Sequence, residues 1–318
     1  EGYRRRASPP HPLMSGAEKK LAALGVRVPE VLLPGAGISP EKFAVIACDQ
    51  HSAEPEYWEE TERLVGKSPS ALRMILPEAW LGRKDKNGES IFSCMEQYLS
   101  DGTLKSAGKG FVYVCRHTET GVRHGLVAAL DLDKYDYMPG SRSLIRATEA
   151  TVKERLPARV AIRRRAPLEM PHVLVLIDDS ENELMSALEK RRDGLDKLYD
   201  FELMQDGGRI EGYRADLPEL YGEIAAALEK LKEKSGDGFL FAVGDGNHSL
   251  AAAKACWEEV KTQVPENQRK DHPMRYALVE IVNLYDEGLS FHPINRLLYH
   301  VNPERVQREV GFSAKNPP

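Results

Sequence analysis

The sequence predicts an α+β fold in which a mixed β-sheet contains hairpins and is flanked by helices. Two pairs of strand-like runs meet at short polar or glycine-containing turns, as β-hairpins do: Phe111–Cys115 with Val122–Leu130, and Phe201–Met204 with Arg209–Tyr213. A further apolar run, Phe239–Val243, leads through glycines into an alanine-rich helix. Because hairpins and a strand–helix unit occur in the same chain, we expect a mixed sheet and not a regular doubly wound fold.

Helices are predicted where a capping residue or a proline precedes a helix-forming segment. Ser15 and Ser180 are the expected N-caps of two helices, and Pro55, Pro157 and Pro218 lie at or near the first position of three others. The predicted helices are Ser15–Leu24, Glu56–Val65, Ser90–Leu99, one starting near Pro157, one from Ser180 to Arg192, Pro218–Lys234 and one over Leu250–Trp257.

Four more apolar runs are of strand length, and each is bounded by polar or turn-forming residues. They are Lys42–Cys48, Ala71–Leu76, Val173–Ile177 and Tyr276–Leu284. The last is followed by Asp286-Glu287-Gly288, which we expect to turn the chain towards Leu289–Phe291.

The chain is expected to form one domain over residues 15–318, because no internal repeat or low-complexity linker interrupts this stretch. Residues 1–14 are rich in Arg and Pro and lack the apolar segment of a signal peptide, so we interpret them as a tag or disordered leader. The last residues, GFSAKNPP, carry no closing element, which suggests a chain truncated at its C-terminus.

Composition excludes several classes of function. A net charge of −5 over 318 residues provides no global basic field for nucleic acid or an anionic membrane. The longest apolar runs are strand-sized, far below the ~20 residues of a membrane span. The four cysteines lie far apart without Cys-x-x-Cys spacing, which argues against structural zinc and favours a reducing cytoplasm.

The turn between the Phe239–Val243 strand and its helix is the strongest candidate site. Glycines allow positive φ and close approach, while polar side chains at a helix start lie beside unpaired N–H groups and the positive end of the helix dipole. Such a turn favours phosphate. An ordinary capped turn would also explain Asp245 and Ser249, but it does not explain His248. The predicted site residues here are Gly244, Asp245, Gly246, Asn247, His248 and Ser249.

Two other groups of side chains are candidates. Arg146, Thr148 and Glu149 lie in a segment without a strong apolar pattern, and Arg159 follows on a predicted helix where arginines could clamp phosphate. The alternative for the arginines is a solvated basic helix face. Asp49, with His51 beside it, follows the predicted strand Lys42–Cys48, and ligands bind at the carboxyl ends of strands in open sheets.

Three motifs in this order resemble the bacterial and archaeal domain of unknown function 1015 family, over nearly the whole chain from about residue 26. They are Ile145-Arg-Ala-Thr-Glu-Ala-Thr151 with Arg155 and Arg159, then Gly-Asp-Gly-Asn-His at 244–248, then Gly288-Leu-Ser-Phe-His-Pro-Ile-Asn-Arg296. That family is similar in turn to the ParB/sulfiredoxin-like superfamily, which includes nucleotide-binding partition proteins and free serine kinases.

The resemblance implies that Asp245, Gly246 and His248 occupy a nucleotide-phosphate turn, with Asp245 near a metal or the transferred phosphoryl group. The usual turn motif is Asp-Gly-His-His-Arg. This chain has Asn247 in place of the first His and Ser249 in place of the Arg, and Asn295 stands where the family often has His. Losing the Arg removes a bidentate phosphate donor that Ser cannot replace.

Taken together, these patterns favour a cytoplasmic, nucleotide-dependent phosphotransferase or phosphohydrolase acting on a small hydroxyl-bearing metabolite, with ATP or ADP and Mg²⁺ as cofactors. We expect three catalytic residues: Asp245 to hold the metal, Asp49 to act as base and His248 to contact phosphate or transfer a proton. Arg146 and Arg159 are expected to clamp phosphate. The alternatives are a nucleotide sensor or scaffold without turnover and a purely structural protein. The expected partners are the nucleotide and the substrate, without membrane or nucleic acid, and homo-oligomerisation is left open.

Overall fold

The computed structural model describes residues 14–81, 88–151, 156–170, 173–290 and 299–310. The helices in these ranges are α1 Gly16–Ala23, α2 Pro40–Phe43, α3 Pro55–Val65, α4 Gly88–Ser100, α5 Leu156–Arg165, α6 Glu183–Arg191, α7 Pro218–Lys234, α8 Asn247–Lys261, α9 Glu266–Arg269 and α10 Pro303–Val310. The strands are β1 Val26–Arg27, β2 Glu30–Pro34, β3 Leu104–Lys109, β4 Phe111–Thr118, β5 Gly121–Asp131, β6 Tyr135–Asp136, β7 Ile145–Ala147, β8 Val173–Ile177, β9 Asp196–Glu202, β10 Arg209–Ala215, β11 Phe241–Asp245 and β12 Tyr276–Asn283.

One large mixed sheet dominates the described part of the chain. Its strands lie in the order β6-β7-β11-β8-β12-β5-β4-β10-β9, with β1 paired to the end of β5, and β2 and β3 form a separate two-stranded sheet. The pairs β6–β7, β7–β11 and β8–β12 are parallel, whereas β11–β8 and the β12-β5-β4-β10-β9 series are antiparallel. The α+β class with a mixed sheet, hairpins and flanking helices is therefore confirmed.

The two faces of this sheet differ in what covers them. Alternate residues such as Phe111, Tyr113 and Cys115 of β4 belong to the main hydrophobic cluster, together with the apolar stripes of α1, α6, α7 and α8. We call this the core face. Val112 and Val114 point to the second face, and two smaller clusters built mainly from residues 32–104 lie outside the main one. Met204, in the β9–β10 connection, packs against the smaller cluster that contains Trp58 and Trp80.

Strand direction defines two ends of the sheet. At the Gly244 end, β11 and β7 finish while β8 and β12 begin. At the opposite end, β8, β12 and β4 finish and β5 begins. Polar loops gather at both ends.

Several predicted elements match closely because local signals are strong. Ser15 caps α1 through a reciprocal capping box with Glu18, Pro218 starts α7, and the β9–β10 hairpin turns at Gln205, Asp206 and Gly208 with positive φ. The predicted helices at Glu56–Val65 and Ser90–Leu99 and the strands Val173–Ile177 and Tyr276–Leu284 are also present within a few residues. None of the described helices is long and apolar enough to cross a membrane.

Three local predictions are wrong. Lys42–Cys48 is not a strand: Ser39 caps the short helix α2, and Val45 and Ile46 are partly buried and pack against the small clusters without pairing to the sheet. Ala71–Leu76 begins instead with a 3₁₀ turn that Ser70 caps. Ser180 does not cap α6; the N-cap is Asn182, in the left-handed region.

Candidate functional site

Two glycines shape the turn between β11 and α8 because β8 lies against it. Gly246, the N-cap of α8, has φ +77°, and a Cβ there would lie 3.0 Å from Val173 Cγ2 and 3.1 Å from Val173 Cα. A Cβ on Gly244 would lie 2.9 Å from the Leu176 side chain. The strand pairing with β8 shifts register between Val243 and Asp245, so the turn is a bulged strand end that only small residues fit.

Asn247 ties this turn to the end of β7. It is 3% exposed, and its Nδ2 donates to Thr148 Oγ1 at 3.3 Å and to the Val243 carbonyl at 3.2 Å. Thr148 Oγ1 donates to the same carbonyl at 2.5 Å. Asn247 Oδ1 is buried and has no hydrogen-bond partner among the described residues. A buried acceptor without a donor is costly unless a bound group supplies one.

Asp245 contacts the loop that carries Asp49. Its Oδ2 accepts from Gln50 Nε2 at 3.1 Å, and its Oδ1 accepts from the Gly246 N–H at 2.7 Å. Asp49 precedes Gln50, and Asp49 Oδ1 is buried without a hydrogen-bond partner in the described part of the chain. The structure therefore brings Asp49 and Asp245 to one place, although Asp49 lies in a loop of turns and does not follow a strand.

The pKa of the Cys48 thiol shows that Asp49, Asp245 and Arg159 lie near one another. Burial raises the pKa of the Cys48 thiol to about 12, and the charges of Asp49 and Asp245 add to this while Arg159 opposes it. Such a thiol stays protonated at neutral pH and is a poor nucleophile. The charges of Asp49, Asp245 and Arg159 therefore all act on Cys48. We give the name Asp49–Asp245 cluster to five residues near it: Asp49, Gln50, Asp245, Asn247 and Thr148.

His248 and Ser249 lie in the first turn of α8 beside this cluster. The His248 side chain is 13% exposed, and its Nδ1 lies 4.0 Å from Glu149 Oε1, whose side chain is 62% exposed. Thus Glu149, predicted as a ligand-binding residue, lies next to the predicted catalytic histidine. Ser249 is partly buried.

The two predicted phosphate clamps lie in different places. Arg159 forms an ion pair with Glu78, whose N–H donates to the Cys48 carbonyl at 2.8 Å, so it lies beside the Asp49–Asp245 cluster. Arg146 is turned towards the start of β11: its Nη1 lies 2.8 Å from Asp237 Oδ2 and its guanidinium stacks 4.5 Å from the Phe239 ring centroid. The side chain of Arg146 therefore does not converge on the turn.

No metal centre is preformed in the described residues, where no three or more His, Cys, Asp or Glu side chains are grouped to hold an ion. Two contributors were missed by sequence reasoning, Gln50 and Glu78. Gln50 lies within the polar run that drew attention to Asp49, but Glu78 has no local signal. Arg155, His292 and Arg296 of the family motifs lie outside the described residues.

This chain belongs to a family described as Protein of unknown function (DUF1015), which matches residues 32–312. The expected membership is therefore confirmed. No curated protein and no solved structure matches the chain.

Proposed function

For this member of the DUF1015 family, we propose that the Gly244–Ser249 turn binds the phosphates of ATP or ADP with Mg²⁺ and that the protein transfers a phosphoryl group to a small hydroxyl-bearing metabolite in the cytoplasm. The single observation that carries the proposal is the meeting of Asp245 and the Asp49 loop at the start of α8, bridged by Gln50. A cytoplasmic location is supported by four cysteines that no disulfide joins.

The helix start supplies the phosphate-binding part. α8 runs for 15 residues, and its N-cap is Gly246, which has no side chain to cap the helix. The N–H groups of a first helical turn have no intrahelical acceptors, and the helix dipole adds positive potential there. These two properties favour an anion without the need for a lysine or arginine.

The carboxylates supply the metal-binding and proton-accepting parts. Mg²⁺ is commonly held by one or two carboxylates together with substrate phosphates, so Asp245 with the nucleotide would suffice and a preformed cage is not required. Asp49 is the proposed base, since its Oδ1 is buried and has no partner among the described residues. His248 is proposed to contact phosphate or move a proton, with Glu149 orienting its ring.

A second candidate function is nucleotide binding without turnover. The cationic side chains argue for it: Arg146 is held by Asp237 away from the turn, Arg159 is held by Glu78, and Ser249 stands where the related motif has Arg. Phosphoryl transfer usually relies on such cations to neutralise the charge of the transition state. A nucleotide sensor, which transfers no phosphoryl group, needs fewer cationic side chains.

The test of binding is Asp245→Asn, with Asp237→Asn as the matched control at the other end of β11. We expect isothermal titration with Mg·ATP and Mg·ADP to show about tenfold weaker binding for Asp245→Asn, because a metal-facing carboxylate is lost. The melting temperature should change little, and Asp237→Asn should bind as the unmodified protein does. Unchanged affinity with a large loss of stability would make Asp245 a structural cap.

The substitution Ser249→Arg separates the enzyme from the sensor. A restored arginine should tighten nucleotide binding by about 1.5 to 3 kcal/mol, the range for hydrogen bonds to charged groups. Titration and a phosphate-release or kinase assay are read on the same preparation. Tighter binding with new turnover would indicate an enzyme whose cation was lost, and tighter binding without turnover would favour the sensor. Unchanged or weaker binding would contradict the assigned position of the phosphate.

A further inference from the structure

On the second face of the sheet, away from the main core, a row of small residues crosses four strands. Across β12, β5, β4 and β10, the register aligns Val282, Gly125, Val114 and Gly212 in one row. A Cβ on Gly125 would lie 2.2 Å from Glu280 Oε1, and a Cβ on Gly212 would lie 2.1 Å from Tyr199 Cζ. The Glu280 carboxylate and the Tyr199 ring therefore occupy the space that these two glycines leave.

Two arginines lie beside this row. Arg116 of β4 and Arg123 of β5 are direct cross-strand partners. Arg123 Nη2 donates to both Glu280 oxygens, at 3.2 and 3.3 Å, and Arg116 Nη2 donates to the Gly207 carbonyl at 3.2 Å. The Nε atoms of both arginines are buried and have no hydrogen-bond partner among the described residues. Two guanidiniums therefore retain unused donors in the same place.

The charges here do not balance. Arg123 pairs with Glu280, whereas Arg116 has no carboxylate within ion-pair distance in the described structure. Burial lowers the pKa of Arg116, and the charge of Arg123 lowers it further, against the opposing effects of Glu280 and Tyr57. Like charges directly opposite on a sheet are destabilising, and a buried charge without a partner costs several kcal/mol. A bound anion would offset both.

We propose that Arg116 and Arg123 bind the carboxylate or phosphate group of a small molecule on the second face of the sheet. The planar guanidinium donors match the two oxygens of such a group, and the Nε atoms have capacity for it. We call this the Arg116 site, formed by Arg116 and Arg123 with Tyr57, Tyr199 and Glu280. It involves none of the residues of the Asp49–Asp245 cluster, so the nucleotide proposal and this one can fail separately.

The same loop nevertheless touches both places. Gln50 donates to Asp245, His51 stacks on Tyr57 with ring centroids 3.8 Å apart, and burial raises the pKa of Tyr57 while Arg116 opposes the rise. A ligand at the Arg116 site would therefore contact the start of α3, directly after the loop that carries Asp49.

The experiment titrates the full chain with inorganic phosphate and, separately, with acetate, with chloride keeping the ionic strength constant. Arg116→Gln removes the charge and keeps an amide donor for the Gly207 carbonyl. The matched control is Arg63→Gln, an exposed arginine paired with Glu60. We expect the affinity for one or both anions to fall about tenfold or more in Arg116→Gln, the loss of a charge-assisted bond. Arg63→Gln should bind the anion as the unmodified protein does.

Two further measurements keep a folding defect apart from a binding defect. Because Arg116 lacks a carboxylate partner, Arg116→Gln should melt at the same or a higher temperature when no anion is added. Arg116→Lys retains the charge without the planar fork and should lose less affinity than Arg116→Gln. Absence of saturable binding of either anion, equal binding by Arg116→Gln and the unmodified protein, or an equal loss in Arg63→Gln would overturn the proposal.

Discussion

Polar side chains lie at both ends of the large sheet, and around Asn283, at the end where β8 and β12 finish, they pair with one another. Asn283, 1% exposed, accepts from the N–H groups of Asp179 and Tyr285 and donates to the Asp179 carbonyl and to Asn182 Oδ1. Asp179, also buried, accepts from the Leu184 N–H in the first turn of α6 at 2.9 Å. This network closes the β8 and β12 ends and holds a helix in place.

At the Gly244 end the hydrogen bonding is incomplete within the described residues. Asn247 uses its amide nitrogen but leaves Oδ1 without a donor, and the same is true of Asp49 Oδ1. Buried polar groups are normally paired, so an unpaired one in a native structure needs an explanation, such as a bound ion, water or ligand. We infer from this comparison that the Asn283 network serves stability, whereas the role proposed for the Gly244 end is binding.

The largest expected effect is on stability, from Asn283→Ala. The substitution removes four hydrogen bonds and leaves buried N–H and carbonyl groups unpaired, which should cost about 3 kcal/mol or more of the free energy of unfolding. Urea denaturation measures this, with exposed Asn267→Ala as the control, expected to change it by less than about 0.5 kcal/mol. Nucleotide affinity should be retained at temperatures where the variant is folded. A cost close to that of the control would remove the contrast between the two ends.

A smaller and pH-dependent effect is expected from Asp286→Asn, also at the opposite end. Asp286 Oδ2 lies 3.2 Å from His124 Nδ1 and also accepts from the His124 N–H, and Gly288 N–H donates to Oδ1. This contact raises the pKa of His124 above 6.5, although burial opposes it. Burial acts to raise the pKa of Asp286, but the hydrogen bonds from His124 and Gly288 lower it below 3.8.

The directions of these two pKa shifts define the pH range in which the His124–Asp286 ion pair stabilises the fold. The His124 contribution is complete below pH 6.5 and is lost as the pH rises through its raised pKa, whereas the Asp286 contribution is complete above pH 3.8 and is lost as the pH falls through its lowered pKa. Asp286→Asn should therefore cost about 1 to 3 kcal/mol between these values and less at higher pH. Denaturation at several pH values, with NMR titration of the His124 ring, measures it. A cost independent of pH, with an unchanged His124 titration, would show that the ion pair does not contribute.

The smallest expected effect on stability comes from Asn247→Ala at the Gly244 end. Only the two bonds donated by its amide are lost, so we expect a cost of about 1 kcal/mol, clearly below that of Asn283→Ala. Nucleotide affinity should nevertheless fall, because the free Oδ1 is lost from the site. Denaturation and isothermal titration on the same sample provide both values. A stability cost equal to that of Asn283→Ala, with affinity unchanged, would place Asn247 among the structural residues.

The sequence predicted the elements whose signals are local. Proline at the first position of α7 and the glycine turn of the β9–β10 hairpin act over a few residues, and both elements lie where expected. The run Phe43–Ile46 misled because an apolar stretch can be buried by side-chain packing as well as by a strand. Periodicity cannot distinguish the two over so few residues.

The candidate site was predictable only in part. The polar turn at 244–249 has a local signature, but its contact with the Asp49 loop joins residues 195 positions apart, and no pattern reports such a contact. The orientation of Arg146 depends on competition from Asp237 and Phe239, which a motif does not encode. The residue types of a motif can therefore predict a phosphate site, but only the fold shows which of those side chains contact one another.

A crystal structure with Mg·ADP would show whether the Gly244–Ser249 turn binds phosphate. We expect phosphate oxygens within hydrogen-bond distance of the N–H groups of residues 246–249, with the metal on Asp245. Crystals of Asp245→Asn under the same conditions serve as the control for the metal position. Nucleotide bound elsewhere at full occupancy, with this turn empty, would contradict phosphate binding at the Gly244–Ser249 turn.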